Sequence, residues 1–434
     1  MKKILYFIMI ICLSASCNDF IDVIPKGNTI PETVDDLGKM MNLGTFSEEY
    51  SLSEISYDIS IAGLYCDDYN VTQDPAQSYY MLNYVPAVVT MVTWGDPAET
   101  SDMFWNGLYK SNYIANYVLE NIDEVKDGVA YDRSEVKGRA LVHRAMNYFL
   151  LVNLYSKSYN HSTASSDPGV PLVLEPSLSA QLPRASVEEV YKQIVEDLNL
   201  AVTLLKTELP ETHNIPGLAA AYALRSRVCL WMQNYDQAYA DASKAIESGA
   251  SLIDYNTCSQ VLPPYGPMAG INGYPKPAAI NPEYIYARNN TEVLPALYTD
   301  RMMAIVDTEN DLRYTLFSYY VNGVLQMFYN HLSNSGISSG EIWITKAEAA
   351  LRKSNPDVAE AVSTLDELRI NRIKSDAYQP TSISDNDLLL KEILNERRRE
   401  VRLCELSFFN VKRLNQDPST ARAMKRTCLG GEYT

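Results

Sequence analysis

Beyond its first residues, the chain lacks any long apolar run. A membrane-spanning helix needs about twenty consecutive apolar residues, and no stretch after Leu13 approaches that length. The sequence also contains no C-x-x-C pair, H-E-x-x-H motif, P-loop or dinucleotide fingerprint. It therefore gives no support for a zinc site, a disulfide framework or nucleotide chemistry, and we expect neither a metal nor a cofactor.

Positive charge is also scarce. The chain has 37 Lys and Arg against 54 Asp and Glu, for a formal net charge of −17. An acidic surface repels nucleic acid and anionic lipid. The balance excludes nucleic-acid partners and favours neutral or cationic ligands, among which neutral sugars fit well.

The N-terminus has the pattern of a bacterial lipoprotein signal. Lys2 and Lys3 precede an apolar run over residues 4–13, and the small residues 14–16 precede Cys17. We expect residues 1–16 to be removed and Cys17 to carry the lipid. The alternative is ordinary signal cleavage that leaves Cys17 as a free thiol.

Helical periodicity dominates the rest of the chain and occurs in pairs. It predicts helices over residues 105–125, 136–155, 187–205, 218–232, 235–248 and 341–368, and over 387–414 with an interruption near Ser407. Ser186 and Glu189 form a capping-box pattern, and the 235–248 segment has tetratricopeptide spacing. The predicted fold class is all-α, with tetratricopeptide-like helix pairs that support an irregular, loop-rich lobe with little β-structure.

Two tyrosine-rich segments interrupt this pattern. Residues 50–84 contain seven tyrosines, and residues 255–286 combine five tyrosines with six prolines. An aromatic ring can stack on the apolar face of a sugar while Asp, Asn or Gln bonds its hydroxyls. We therefore expect these loops to form the ligand surface. The Trp105 ring could also stack on a sugar, but Trp105 opens a helix and is expected in the core. The candidate ligand-binding residues are Asp67, Tyr69, Tyr79, Tyr80, Trp94, Tyr265 and Tyr274.

Three further motifs admit a chemical interpretation and a simpler structural one. Residues 336–340 match the G-x-S-x-G nucleophile elbow, but all four histidines precede Ser338, so we expect a helix cap. The Glu/Arg run at 396–405 predicts a structural ion-pair network. Asp67 and Asp68 could form a glycosidase pair, although ligand hydrogen bonding or solvation is the favoured interpretation.

Residues 313–329 suggest a hairpin around Asn322 and Gly323.

Four segments together resemble the SusD/RagB family of outer-membrane nutrient-binding lipoproteins. They are CNDFIDVIP at 17–25, FWNGLYKSNYIANYVLENID at 104–123, GEIWITKAEAALRKSNPDVAEAVSTLDELRINR at 340–372 and ILNERRREVRLCELSFFNVKRL at 393–414. Leu406 and Asn410 depart from the family pattern. Members usually continue into an aromatic, proline-rich tail, which we expect this chain to lack.

The resemblance implies one domain over 17–434, with a helical scaffold at about 104–250 and 340–415 and a binding lobe at about 50–100 and 251–335. It implies a surface-exposed lipoprotein of the outer membrane that binds a glycan or oligosaccharide and delivers it to a SusC-like TonB-dependent transporter, without catalysis. A peptide-binding protein of the same fold is the alternative, and a glycoside hydrolase is a third choice.

Overall fold

A computed structural model describes residues 30–42, 59–71, 90–95, 103–177, 181–261, 271–275, 278–288, 296–321, 324–327, 336–402 and 404–434. Helices dominate, as the periodicity predicts. Within these ranges no helix has both the length and the apolar character to cross a membrane.

Beside a short helical segment at residues 90–93, twelve α-helices have both ends within the described ranges. They are α1 (Val34–Asn42), α2 (Met103–Asn121), α3 (Arg133–Tyr155), α4 (Val187–Leu204), α5 (Leu218–Trp231), α6 (Tyr235–Glu247), α7 (Asp300–Met303), α8 (Leu312–Phe317), α9 (Ser339–Arg352), α10 (Val358–Arg369), α11 (Asn386–Glu400) and α12 (Glu405–Leu414). A 3₁₀ helix covers Ile59–Tyr65.

The long helices stack in chain order. Each of α2 to α5 packs on the next helix, α6 packs on α9, and α9 packs on α10 and α11. Buried alanines such as Ala238, Ala242 and Ala245 let α6 approach its neighbours closely. The predicted tetratricopeptide-like helix pairs are therefore confirmed, and α9 continues the stack although it begins about ninety residues after α6 ends.

Two helix starts follow from local side-chain chemistry. At α4, the Ser186 hydroxyl accepts a hydrogen bond from the Glu189 N–H, and the Glu189 carboxylate accepts one from the Ser186 N–H. At α9, the Ser338 hydroxyl accepts from the Glu341 N–H at 3.3 Å. The predicted capping box and the predicted capping role of Ser338 are both confirmed.

The last predicted helix divides in two. Helix α11 ends at Glu400 and α12 begins at Glu405, so the break precedes the predicted position near Ser407. The Arg402 guanidinium donates to the Arg313 carbonyl at 2.7 Å, which turns the chain away from the helix axis. The Ser407 hydroxyl donates to the Val401 carbonyl at 3.1 Å and so bridges the break.

The strands are short and antiparallel. One sheet has the order β1 (Tyr69–Val71), β5 (Ala296–Tyr298), β7 (Val324–Met327), β6 (Ser318–Val321). Three two-stranded pairs join β2 (Ser259–Gln260) to β3 (Ile271–Asn272), β4 (Tyr284–Tyr286) to β8 (Ile337–Ser338), and β9 (Arg426–Cys428) to β10 (Gly431–Tyr433). The predicted hairpin exists as β6 and β7, where Val321 pairs with Val324, but its first five residues belong to α8 instead of a strand.

The core contains many charged groups as well as apolar ones. Cys229 and Cys404 are buried, as predicted. The Glu396 carboxylate pairs with Arg313, and Glu400 pairs with Arg313 and Arg372, all with buried side chains. The predicted ion-pair network is confirmed, although its partners come from other elements and not only from α11.

Candidate functional site

Helix α2 presents an aromatic and amide stripe to one side of the molecule. Trp105, Tyr109, Asn112, Tyr113 and Asn116 occupy positions i, i+4, i+7, i+8 and i+11, which share one helical face. The stripe is about 16 Å long at 1.5 Å per residue. The Trp105 and Tyr109 ring centroids lie 4.9 Å apart at an interplanar angle of 50°, so the two rings form one composite surface.

An extended segment faces this stripe across a cleft. Pro171, Val173, Ser177, Gln181 and Leu182 form the opposite wall, and the enclosed volume is about 240 Å³. That volume lies near the lower end of the range for small-molecule pockets, about 300 Å³. We call this space between α2 and the facing residues 171–177 and 181–182 the α2 cleft.

Hydrogen bonds from ring hydroxyls hold the two walls of the α2 cleft together. The Tyr109 hydroxyl donates to the Pro171 carbonyl at 2.7 Å. The Tyr148 hydroxyl, on α3, donates to the Val173 carbonyl at 2.7 Å and accepts from the Val173 N–H at 2.8 Å. Burial raises the pKa of both hydroxyls, which keeps them protonated and able to donate.

A buried ion pair positions Asn116. The Arg144 guanidinium forms two hydrogen bonds with the Asp197 carboxylate, at 2.8 and 2.7 Å. Its remaining Nη1 donates to the Asn116 Oδ1 at 3.0 Å, which leaves the Asn116 Nδ2 to donate to the Val173 carbonyl at 2.7 Å. Side chains from α2, α3 and α4 and the backbone of the facing segment thus hold this end of the cleft in place.

The cleft lining is aromatic, amide, hydroxyl and apolar. Its ten lining residues in the described structure include no carboxylate, imidazole, thiol or cationic group. Rings that can stack, beside amides that can donate and accept, form a surface suited to binding an uncharged polyhydroxylated ring.

The candidate carboxylate Asp67 is fully buried in an ion-pair cluster. Its carboxylate lies 2.6 Å from the Arg422 guanidinium and accepts from the Lys425 N–H at 3.1 Å. Burial acts to raise the pKa of Asp67, but the Arg422 hydrogen bond and charge outweigh it, and the net shift is downward. Asp68 pairs with Arg398 at 2.6 Å. These arginines occupy the carboxylates, so the predicted solvation of the pair is wrong, and the lowered pKa of Asp67 does not suit it to act as a glycosidase acid.

The same cluster has metal-ligating atom types. Ligand atoms of Cys66, Asp67 and Asp68 lie within 4.8 Å of one another. Burial and the neighbouring carboxylates raise the pKa of the Cys66 thiol, so it is not a thiolate ligand. With the carboxylates already held by arginines, the group does not fit a metal ion.

The other described candidates lie in packed surroundings. Tyr69 is 1% exposed in β1, and Tyr274 is 6% exposed against Phe317, with ring centroids 5.1 Å apart. Trp94 is half-buried, donates from its indole nitrogen to the Tyr65 carbonyl at 2.9 Å, and has a positive φ of 51°. Asp67, Tyr69 and Trp94 surround the C-terminal hairpin, whereas Tyr274 belongs to a separate apolar cluster.

Neither Tyr69 nor Tyr274 offers an open ring face in this structure, so their ligand-binding role stays a prediction without geometric support. Cys17, Tyr79, Tyr80 and Tyr265 lie outside the described residues.

We expected Trp105, which opens this helix, in the core, although its ring could also stack on a sugar. Trp105 is half-buried and its ring meets the Tyr155 ring edge-on at 5.0 Å, so the expected packing role is partly right. The aromatic and amide stripe was a readable signal. What the sequence could not supply is the facing wall, which begins about fifty residues after α2.

Comparison with known proteins agrees with the architecture. Residues 19–230 match a family model, SusD-like_3, described as starch-binding associating with outer membrane. No curated protein matches the sequence. The chain is similar in structure to a SusD superfamily protein from Bacteroides vulgatus, with 17% identity, a TM-score of 0.69, and coverage of 93% of this chain and 91% of that one.

Two further structures are similar. A SusD-like carbohydrate binding protein from Bacteroides vulgatus has 18% identity and a TM-score of 0.63, with 87% of this chain and 83% of that one covered. Surface glycan-binding protein A from Bacteroides fluxus has 14% identity and a TM-score of 0.62, with 90% of each chain covered. At these identities the structural likenesses establish a shared fold.

Proposed function

We propose that this chain is a member of the SusD/RagB family and an outer-membrane lipoprotein that binds a glycan or oligosaccharide and hands it to a SusC-like TonB-dependent transporter. The family model is described as starch-binding and outer-membrane associated. Two of the similar structures are named as carbohydrate-binding or glycan-binding proteins.

The observation that carries the glycan-binding proposal is the α2 cleft. Trp105, Tyr109 and Tyr113 supply ring faces or edges along one wall, and amides lie between them. Stacking of a sugar on such rings buries C–H groups, while its hydroxyls reach the amides and the rim. We place the glycan here rather than in the tyrosine-rich loops, because Tyr69 and Tyr274 are buried.

The charge of the site favours a neutral glycan. The lining of the cleft, as far as the structure describes it, carries no formal charge, and the whole chain has a net charge of −17. An anionic polysaccharide would approach against that field. We propose no catalytic step, since the lining offers no acid or base to perform one.

The remaining parts of the proposal concern attachment and delivery. Cys17 would carry the lipid that holds the protein at the outer membrane, facing outward. The helical stack from α3 to α10 would provide the surface that docks on the transporter, and the cleft at α2 would remain open to ligand.

Retardation in native gels that contain plant, fungal or host polysaccharides tests this function. We expect the protein comprising residues 18–434 to be retarded by one polysaccharide class. Tyr113→Ala and Trp105→Ala should each abolish most of the retardation, because each removes a stacking surface. Burial of such a ring contributes about 1.5 to 3 kcal/mol to binding, or a factor of about ten to one hundred and sixty.

Trp94→Ala is the matched control, since Trp94 is also a half-buried tryptophan but lies outside the cleft. Loss of retardation in Trp94→Ala and not in Trp105→Ala would indicate that the glycan binds at the tyrosine-rich loops instead of the α2 cleft. No retardation of a folded protein by any polysaccharide, together with binding of oligopeptides, would favour the peptide-binding alternative.

A further inference from the structure

Three arginine side chains converge on Asp67 and Asp68 from distant parts of the chain. Arg301 is on α7, Arg398 is on α11, and Arg422 lies between α12 and β9. The two carboxylates are buried, whereas the arginine side chains are 38%, 22% and 21% exposed in that order. Part of each arginine side chain is therefore open to solvent, above carboxylates that are not. We call these five residues the arginine cluster.

The positive charge of the arginine cluster is not fully balanced. The Arg422 guanidinium donates to the Asp67 carboxylate at 2.8 Å, and Arg398 donates to Asp68 at 3.0 and 2.6 Å. The Arg301 side chain makes no hydrogen bond within the residues that the structure describes, and its ion pair with Asp67 is long, at 3.5 Å. Three cations thus face two anions, which leaves one net positive charge on a chain whose net charge is −17.

The three guanidinia crowd one another. Partial burial and the charges of Arg422 and Arg398 lower the pKa of Arg301, and the opposing charge of Asp67 does not cancel them. An anion bound beside such a group would stabilise its charged form, because the anion is attracted to all three guanidinia at once. Arg301 is the arginine most affected, since its side chain lacks a hydrogen bond of its own.

The remaining N–H groups of the cluster fit an oxyanion. A guanidinium carries five donors in a planar fork, and the contacts with Asp67 and Asp68 occupy only some of the donors on Arg398 and Arg422. Such forks bind carboxylate and phosphate groups through paired hydrogen bonds. A phosphate or sulfate monoester offers three terminal oxygens, one for each guanidinium, whereas a carboxylate offers two.

The acidity of the whole chain does not prevent this binding. At physiological ionic strength, charges are screened over about 8 Å, so a small ester responds to the groups next to it. A long polyanion would instead cross the acidic surface outside the arginine cluster.

We propose that the arginine cluster binds a phosphate or sulfate monoester, and that Arg301 donates to it directly. The ester group is carried by a soluble sugar or by a lipid head group, and the recognition chemistry is the same for both. None of the five residues lines the α2 cleft, so this site is separate from the proposed glycan site. The inference does not depend on glycan binding.

Titration calorimetry at low ionic strength with glucose 6-phosphate, glucose 6-sulfate and glucose tests this site. We expect both esters to bind at least about tenfold more tightly than glucose, because only the esters offer charged acceptors. Arg301→Met should weaken the binding of both esters by about tenfold or more. Arg301→Lys keeps the charge but not the planar fork, so it should recover only part of the lost affinity.

Arg301 is the position to change because its side chain makes no hydrogen bond that the fold would lose. Changing Arg398 or Arg422 would leave a buried carboxylate unpaired and would destabilise the protein. Arg184→Met is the matched control, since Arg184 is also exposed, lies outside the cluster and donates to the Tyr155 carbonyl at 3.1 Å. It should bind the esters as the wild type does, and thermal melting checks that each variant folds.

Failure of the wild type to bind either ester would overturn the inference, and so would equal affinity for glucose and its esters. Equal ester affinities in the wild type and Arg301→Met, or an equal loss in Arg184→Met, would overturn it as well. Arg301→Met should keep its retardation by polysaccharides, so a failure of the glycan-binding function would be recognised independently.

Sedimentation with vesicles of phosphatidylcholine and phosphatidic acid distinguishes the two sources of the ester. Co-sedimentation that is lost in Arg301→Met would assign the ester to a lipid head group. Binding of the sugar esters without co-sedimentation would assign it to a soluble sugar.

Discussion

Two fully buried glutamates show how surroundings control ionisation in this core. Burial alone would raise the pKa of Glu348, but Arg413 and Arg397 outweigh it and hold that pKa at about 2. Glu405 has no hydrogen-bond partner for either carboxylate oxygen among the described residues. Burial raises the pKa of Glu405 to about 7, against the opposing charge of Arg227. The same residue type is therefore a stabilising anion at one site and a destabilising one at the other.

Glu405→Gln should stabilise the protein at alkaline pH. The folded-state pKa of about 7 exceeds the ordinary value of 4.5, so the contribution of Glu405 to the free energy of unfolding falls as pH rises through that window. Gln does not titrate. We expect the variant to gain about 2 kcal/mol relative to wild type between pH 5 and pH 8, measured by urea unfolding.

Glu348→Gln is the opposite control for this prediction. It removes a charge that Arg397 and Arg413 require, and we expect it to destabilise the protein by about 3 to 5 kcal/mol at both pH values. A Glu405→Gln gain that is the same at pH 5 and pH 8 would contradict the account, because the effect would then owe nothing to ionisation.

At the scale of elements, the C-terminal hairpin fastens loops that are distant in sequence. Arg426 in β9 is 3% exposed and donates to the carbonyls of Leu64, Cys66, Met91 and Val92. The Asn70 Nδ2 donates to the Thr427 carbonyl at 2.8 Å. A guanidinium can satisfy several carbonyls at once because its five donors are held in a rigid fork.

Arg426→Met should loosen this part of the molecule selectively. It leaves four buried carbonyls without their donor, and we expect a loss of about 2 to 4 kcal/mol in the free energy of unfolding. Amide exchange should accelerate in residues 62–71 and 90–95, and remain slow in α5 and α6. Hydrogen exchange read by mass spectrometry measures both regions in one experiment.

Lys425→Met makes the same change of charge at the preceding, exposed position. The Lys425 backbone N–H keeps its bond to Asp67, so exchange should be unchanged there. Equal acceleration in both variants would mean that net charge, and not the carbonyl contacts of Arg426, holds the loops.

Elements with strong local periodicity could be predicted from the sequence, and elements made by distant pairing could not. The 187–205 helix was readable because its apolar stripe and the Ser186 cap are local. In the four-stranded sheet only the β6–β7 hairpin was predicted. The pairing of β1 with β5 was not, since β1 has three residues and its partner lies more than two hundred residues away. Short strands of this kind carry no measurable alternation.

At the scale of the whole molecule, a stack of helices places one aromatic wall opposite an irregular segment to form a cleft. Four segments of sequence were enough to show a resemblance to the SusD/RagB family, and solved structures with the expected fold are similar to this chain. The sequence also contained the α2 stripe, but a stripe that packs against a core and one that borders a cleft have the same spacing. Only the position of the facing residues 171–177 and 181–182 distinguishes them.

The central claim, that a glycan binds in the α2 cleft, is tested most directly by fluorine NMR. The chain has four tryptophans, at 94, 105, 231 and 343, so 5-fluorotryptophan labelling gives four resonances that single Trp→Phe variants assign. Trp231 and Trp343 are buried and serve as internal references. On titration with the retained glycan, the account predicts that the Trp105 resonance shifts and the other three do not. A shift of Trp94 with Trp105 unchanged would contradict it.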